Sequence, residues 1–315
     1  MLERVDLLPG DEFWQAFLAR ERLPATYRDF AIDWFGPLVA ALLDRRGAGS
    51  NAGADFPIQV VGLYGCQGSG KSTLAALLAA WLEEVAGLQV LSLSLDDFYL
   101  PLSQREELAR DVHPLFATRG VPGTHEVAAL GRIIQAVRDR RGSSLLIPQF
   151  DKAIDDRTAL GIEIEPERVD LIVLEGWCVG LPPQPRDQLR EPVNDLEREE
   201  DRSGAWRGAV NKALEESYRA VFDLIDTQVV LKAPSFASVF SWRWEQEEKL
   251  RSRVAGSLCA GQGLMDEAAL GRFLQFYQRL TEWGLVSMPA RADLCFHLQG
   301  DRSVRKVSGD MARYY

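Results

Sequence analysis

The chain has 315 residues, 46% of them apolar and 26% charged, proportions that exclude a disordered or collagen-like protein. Its 36 basic and 46 acidic residues leave a formal net charge of −10, which argues against a protein that coats nucleic acid while allowing a local basic site. A chain of this length can bury a sizeable core without disulfide or metal. Cys66, Cys178, Cys259 and Cys295 stand far apart with no Cys-x-x-Cys pair; this argues against a zinc ribbon, a redox motif or a secreted disulfide framework, and a reducing cytoplasm is expected.

The acidic opening, Met1 to Glu12, does not read as a signal peptide, and no stretch approaches the ~20 apolar residues a membrane span requires. Residues 12 to 46 are expected to be helical, with Phe13, Phe17, Tyr27, Phe30, Trp34 and Leu38 at helical spacings and Pro24 as a break. Arg45 to Asp55 is small, polar and glycine-rich and reads as a linker. It divides the chain into an N-terminal helical extension, residues 1–56, and a larger domain, residues 57–315. There the strands Pro57 to Tyr64, Val90 to Leu95, Ser144 to Gln149, Leu171 to Leu174, Thr227 to Leu231 and Asp293 to Leu298 alternate with helical stretches such as Ser72 to Glu84, Val127 to Arg138 and Trp206 to Ile225. The alternation predicts an α/β fold, a mostly parallel sheet with helices on both faces, and a ligand beyond the carboxyl ends of the strands.

Directly after the first of these strands stands Gly65-Cys66-Gln67-Gly68-Ser69-Gly70-Lys71-Ser72, followed by Thr73, a full match to Gly-x4-Gly-Lys-Ser/Thr. Its glycines let backbone N–H groups converge on a phosphate, and the helix behind it adds the positive end of its dipole. Lys71 is expected to reach the β- and γ-phosphates of ATP, and the Ser72 hydroxyl to join a Mg²⁺ shell. Motors, switches, ATPases and kinases all use such a loop, so the groups facing the γ-phosphate decide the class.

Asp96 and Asp97 follow the second strand on the same side of the sheet. Asp96 is the candidate to orient an acceptor hydroxyl and take its proton, although such a pair also suits a helix cap or a solvated loop. Glu175, at the end of Val169 to Leu174, is the second candidate for Mg²⁺. Arg119 to His125 forms a tight loop presenting N–H groups and a cation to an anion, or a Pro-Gly turn that Thr124 caps. Ser241 to Arg253 carries alternating charges on a helix, with i,i+4 pairs such as Arg243 and Glu247. Leu181 to Trp206 is longer than most loops, and neither Asn194 nor Asn211 has an evident role.

These residues resemble the phosphoribulokinase, uridine kinase and pantothenate kinase group of phosphate-loop enzymes, and within it the D-glycerate 3-kinase family. The resembling pieces are Gly65 to Thr73, Ser94 to Leu100, Arg119 to His125, Pro148 to Lys152 with Asp156 and Arg157, Leu174 to Trp177, Trp242 to Glu247, and Met265-Asp266. The likeness implies a P-loop NTPase fold with a lid, Mg-ATP as phosphoryl donor, and a small anionic metabolite, D-glycerate, as acceptor, with no nucleic acid or membrane partner. It implies catalytic roles for Lys71, Asp96 and Arg243, acceptor contacts from Asp97, Tyr99, Arg119, His125, Asp151, Lys152 and Arg157, and lid cations Arg243, Lys249 and Arg251. Two alternatives stay open: a nucleoside or pantothenate kinase, for which Tyr99 and Phe150 are available to stack a base, and an ATPase switch acting through a protein partner.

Overall fold

The described residues of the computed structural model, 7–48, 58–254 and 265–315, begin with helices α1 (Asp11–Glu21) and α2 (Tyr27–Ala48), strand β1 (Gln59–Gly65) and helix α3 (Lys71–Ala86). Next come β2 (Val90–Ser94), α4 (Leu102–Asp111), α5 (Val127–Arg138) and four short strands, β3 (Leu145–Ile147), β4 (Phe150–Asp151), β5 (Asp156–Arg157) and β6 (Ile162–Ile164). The chain continues through β7 (Leu171–Gly176), α6 (Asp195–Glu200), α7 (Ala205–Ala213), α8 (Arg219–Phe222), β8 (Thr227–Lys232), α9 (Phe236–Val254), α10 (Glu267–Ser287), β9 (Leu294–Leu298) and β10 (Val304–Ser308). Residues 1–6, the expected linker from 49 onward, Pro57 and Cys259 lie outside the described residues.

The main sheet runs β10-β9-β8-β1-β7-β2, parallel throughout except for β10 against β9. β1 and β7 lie inside it and are buried on both faces, which is why they read as unbroken apolar runs. Alternate residues feed two cores. Val60, Tyr64, Ile172 and Leu174 face the cluster covered by α5, α7 and α10, whereas Val61, Leu63, Leu171 and Val173 face the cluster covered by α1, α2 and α3. Leu74, Leu77, Leu78, Trp81 and Leu82 form the buried stripe of α3 at helical spacing.

The N-terminal helices therefore share the phosphate-loop core. Trp14 meets Trp81 edge-on at 5.3 Å, and the Trp81 indole donates to the Leu7 carbonyl at 2.7 Å. Arg45 and Arg46, assigned to a linker above, instead belong to the last turn of α2, where their charges suit the helix C-terminus. They pair with Asp293 (2.7 Å) and Asp170 (2.8 Å), fastening that turn to the sheet.

The expected strand at Ser144 to Gln149 lies outside the main sheet. β3 pairs antiparallel with β6 and β4 with β5, as two small ribbons. Edge strand β10 was not expected, and the helical run from Trp206 is broken by a π turn at Leu214–Tyr218. The 181–206 segment is tied down by buried polar groups. Asn194 caps α6 and donates to Gln275 O at 2.9 Å, Asn211 exchanges two bonds with the Gln184 backbone, and Glu197 pairs with Arg279.

Candidate active site

Parallel register sets the site. Tyr64 lies beside Gly176, and Ser94 beside Glu175, so the ends of β1, β7 and β2 deliver the glycine loop, Glu175 and the Asp96 turn to one edge of the sheet. A Cβ at Gly65 would stand 2.5 Å from Ser69 Oγ, and one at Gly68 (φ 77°) 2.6 Å from Trp242 Cβ, so glycine is required where the loop packs against itself and α9. Gly70 (φ 90°) turns the chain into α3, whose first turn has no side-chain cap; its amides are thus available to an anion. Cys66 lies inside the core, where burial pushes its thiol up to about 12, so it serves the loop through its backbone and packing.

A cavity of about 570 Å³ opens over this edge, and Gln67, Lys71, Ser72, Thr73 and Glu175 are among the residues that line it. Burial opposes the charge on Lys71, but Glu175, 3.7 Å away, and then Asp96 more than offset it, and the ammonium is held above its ordinary value. Glu175 Oε1 accepts from Ser94 Oγ (2.7 Å) and Ser72 Oγ (3.2 Å), while its buried Oε2 faces the Lys71 ammonium at 3.7 Å and makes no hydrogen bond. A hard cation with oxygen ligands fits that unspent lone pair beside a serine hydroxyl. Asp97, first by burial and then by the nearby charges of Asp96 and Glu175, is shifted upward despite a weak bond from the Phe150 N–H; a divalent cation would relieve this crowding.

Asp96 sits across the cavity in the short turn Leu95–Phe98. Lys152 Nζ contacts its Oδ2 at 2.6 Å and the Tyr99 hydroxyl donates to Oδ1 at 2.7 Å. Burial alone would raise this carboxyl, but Lys152 and Lys71 outweigh it and hold it at about 2. Arg119 also lines the cavity, with its guanidinium paired to Asp155 and lying over the Phe150 ring at 5.4 Å.

Other expected acceptor contacts are placed differently. His125 is buried behind Tyr99, its ring stacked on the tyrosine at 4.5 Å and its Nδ1 bonded to the Tyr218 hydroxyl. Burial drives its value down to about 3, so it is a neutral prop for Tyr99 and holds no charge for a carboxylate. The loop that precedes it spends its amides internally: Gly120 N–H on Thr124 Oγ1, Gly123 N–H on the Tyr218 hydroxyl and Thr124 N–H on Val121 O. Thr124 thus braces the loop, and the residue before α5 is Glu126. Arg157 clamps the Tyr99 and Phe98 carbonyls and Glu126, and Asp151 accepts from the Ala153 N–H.

On α9, Arg243 lines the cavity while paired to the buried Glu247. Lys249 pairs with Glu245, and Arg251 donates to Met265 O with its guanidinium over Trp244, so neither is gathered with Arg243 at the cavity. Residues the sequence reasoning did not assign complete the walls. Ser94 bonds Glu175, Trp177 donates to Gly120 O at 2.9 Å, and Tyr277 donates to Arg119 O at 3.2 Å. Gly120, at φ 127°, must be glycine because a Cβ there would stand 1.9 Å from the Tyr277 hydroxyl.

A glycine loop opening an uncapped helix, a lysine and a serine at its start, and a strand-end acid beside them define a phosphate-loop nucleotide site on an α/β fold. No protein-family model matches the chain. It is 32% identical over 232 residues to the uncharacterized kinase mug58 of Schizosaccharomyces pombe, a match spanning 69% of this chain and 78% of that protein. It is 29% identical over 235 residues to the chloroplastic D-glycerate 3-kinase of Arabidopsis thaliana, covering 71% of this chain but 47% of that longer relative. Among solved structures, the D-glycerate 3-kinase of Cryptococcus neoformans superposes with TM-score 0.70 at 27% identity, over 86% of this chain and 96% of that one. The YGR205w protein, at 21% identity and TM-score 0.67, shares the fold. The chain belongs to the D-glycerate 3-kinase family of phosphate-loop kinases.

Proposed function

We propose that this kinase transfers the γ-phosphoryl group of Mg-ATP to a hydroxyl of D-glycerate. The observation that carries the reading is the position of Asp96, which shares one cavity with Lys71 while bound to Lys152, a cation that a small carboxylate can claim. In the reaction the acceptor oxygen bonds to the γ-phosphorus as the bridging P–O bond to ADP breaks, and the hydroxyl proton passes to the Asp96 carboxylate. A carboxylate held near 2 is a weak base, which suits a late proton transfer in which orientation of the hydroxyl is its main task.

Lys71 and the loop amides hold the β- and γ-phosphates, and Arg243 faces them from α9. Mg²⁺, held by Ser72 and Glu175, would neutralise phosphate charge when bound. Lys152 and Arg119 grip the acceptor carboxylate. The aromatic groups favour this acceptor over a nucleoside: Tyr99 is covered by His125 on one face and spends its hydroxyl on Asp96, and Phe150 lies under the guanidinium groups of Arg105 and Arg119. Among the described residues no helix is long and apolar enough to cross a membrane. The buried free thiols Cys66, Cys178 and Cys295 suit a reducing cytoplasm, which completes the proposal.

An ADP-release assay with D-glycerate, uridine, pantothenate and ribulose 5-phosphate tests it. The reading predicts turnover stimulated by D-glycerate above the other three. Hydrolysis indifferent to every acceptor would favour a switch instead.

A further inference from the structure

A second cavity, of about 500 Å³, lies on the other side of the phosphate loop and shares Gly68, Gly70, Thr73 and Gln246 with the first. One of its walls comes from the N-terminal helices: Leu23, Thr26, Tyr27 and Phe30, where α1 gives way to α2. The opposite wall is the turn between β9 and β10, with Asp301 and Arg302. That turn is rigidly built. Arg302 Nε donates to Gly68 O at 2.8 Å, its guanidinium pairs with Glu245 at 2.8 Å and lies over the Trp242 ring at 5.3 Å, and Asp301 accepts from the backbone and hydroxyl of Ser303.

The loop is thus the partition between two cavities of unlike chemistry. The first holds three carboxylates and the cations Lys71, Arg119, Lys152 and Arg243. The second offers aromatic and aliphatic walls, with the Tyr27 and Phe30 rings 5.7 Å apart, and a planar cation at its rim. A nucleoside triphosphate whose terminal phosphates fill the loop must send its sugar and base away from the acceptor. The first cavity also has aromatic residues in its lining, among them Tyr99, Trp177 and Tyr277, but they stand among seven charged groups; a flat, largely apolar heterocycle finds the less charged surface on the second side.

We infer that residues 23 to 30 form one wall of the nucleoside pocket, which makes the N-terminal helical pair a specificity element for the base of the phosphate donor. The inference rests on the reading of the glycine loop as a triphosphate site. It also accounts for the fastening of these helices, with Arg45 and Arg46 tying the end of α2 to the sheet and Trp81 of α3 holding the Leu7 carbonyl just before α1.

The test compares the affinities of the full chain for ATP and for inorganic tripolyphosphate by calorimetry, in the wild type and in two variants. Tyr27→Ala removes an aromatic wall, and Thr26→Trp, at an exposed position on the cavity lining, fills the space without disturbing the core. In both, the preference for ATP over tripolyphosphate is expected to fall by about tenfold, the scale of a lost base-stacking contact, while tripolyphosphate binding stays within about twofold. Should Tyr27→Ala fail to fold, Thr26→Trp decides alone. An unchanged preference overturns the inference and leaves the triphosphate reading standing. Failure of the wild type to bind either ligand overturns both.

Discussion

Lys152 Nζ lies 2.6 Å from Asp96 Oδ2, so the residue expected to receive the acceptor proton is paired with a residue expected to bind the acceptor carboxylate. The lysine is largely exposed and the aspartate mostly covered, an arrangement in which the lysine can leave when a better anion arrives.

Removing that cation by Lys152→Met is expected to raise the acceptor KM by about tenfold or more, while the Kd for ATP changes little. It also withdraws the largest of the influences that lower Asp96, so the carboxyl rises from about 2 and the acid limb of kcat/KM moves to higher pH. Steady-state kinetics across pH check both effects. An unaltered acceptor KM would remove Lys152 from the acceptor site.

His125 makes a prediction about stability. Its folded value of about 3 lies below the ordinary 6.5, so the unfolded chain binds an extra proton between those values. Its effect is therefore level above 6.5 and destabilises the fold as pH drops from 6.5 toward 3, with a slope approaching about 1.4 kcal/mol per pH unit. Urea midpoints of the wild type and His125→Asn between about pH 4.5 and 7.5 should converge as pH falls, because the variant lacks this proton uptake. The same burial implies that no limb of the activity profile near 6.5 belongs to His125.

Arg105 is fully buried, donating to Leu100 O (3.2 Å) and Ala117 O (2.9 Å) and pairing with Asp155 at 3.1 Å. It binds the segment after Asp96 to the β4–β5 ribbon that carries Lys152. Arg105→Met leaves those carbonyls without their donor and is expected to cost about 3 kcal/mol, measured by urea unfolding. Acceptor KM should rise with it, because Lys152 loses its support.

What was legible in the sequence was local. The glycine loop, Lys71 and Ser72 are contiguous, and Asp96 and Glu175 stand at strand ends whose apolar runs announce them. Five strands of the main sheet followed from the same runs, whereas edge strand β10 did not, and the four short strands between α5 and β7 are too brief to show a period. Roles that depend on distant partners were not legible. His125 is neutralised by Tyr218 and Tyr99 closing around it, and Arg157 is spent on carbonyls of another element. The α9 cations were separated by rotation: at about 100° per residue, the six steps from Arg243 place Lys249 on a different face of the helix. Tyr277 and Arg302 carry no motif and reach the site only through the tertiary fold.

The most direct test of the account is Asp96→Asn, assayed in parallel for ATP affinity and for D-glycerate-dependent turnover. An amide retains the size of the side chain but cannot accept the hydroxyl proton, so ATP should bind within a few-fold of wild type while kcat falls by about 10² or more. Turnover equal to wild type, with ATP still bound, would contradict the assignment of Asp96 and with it the mechanism.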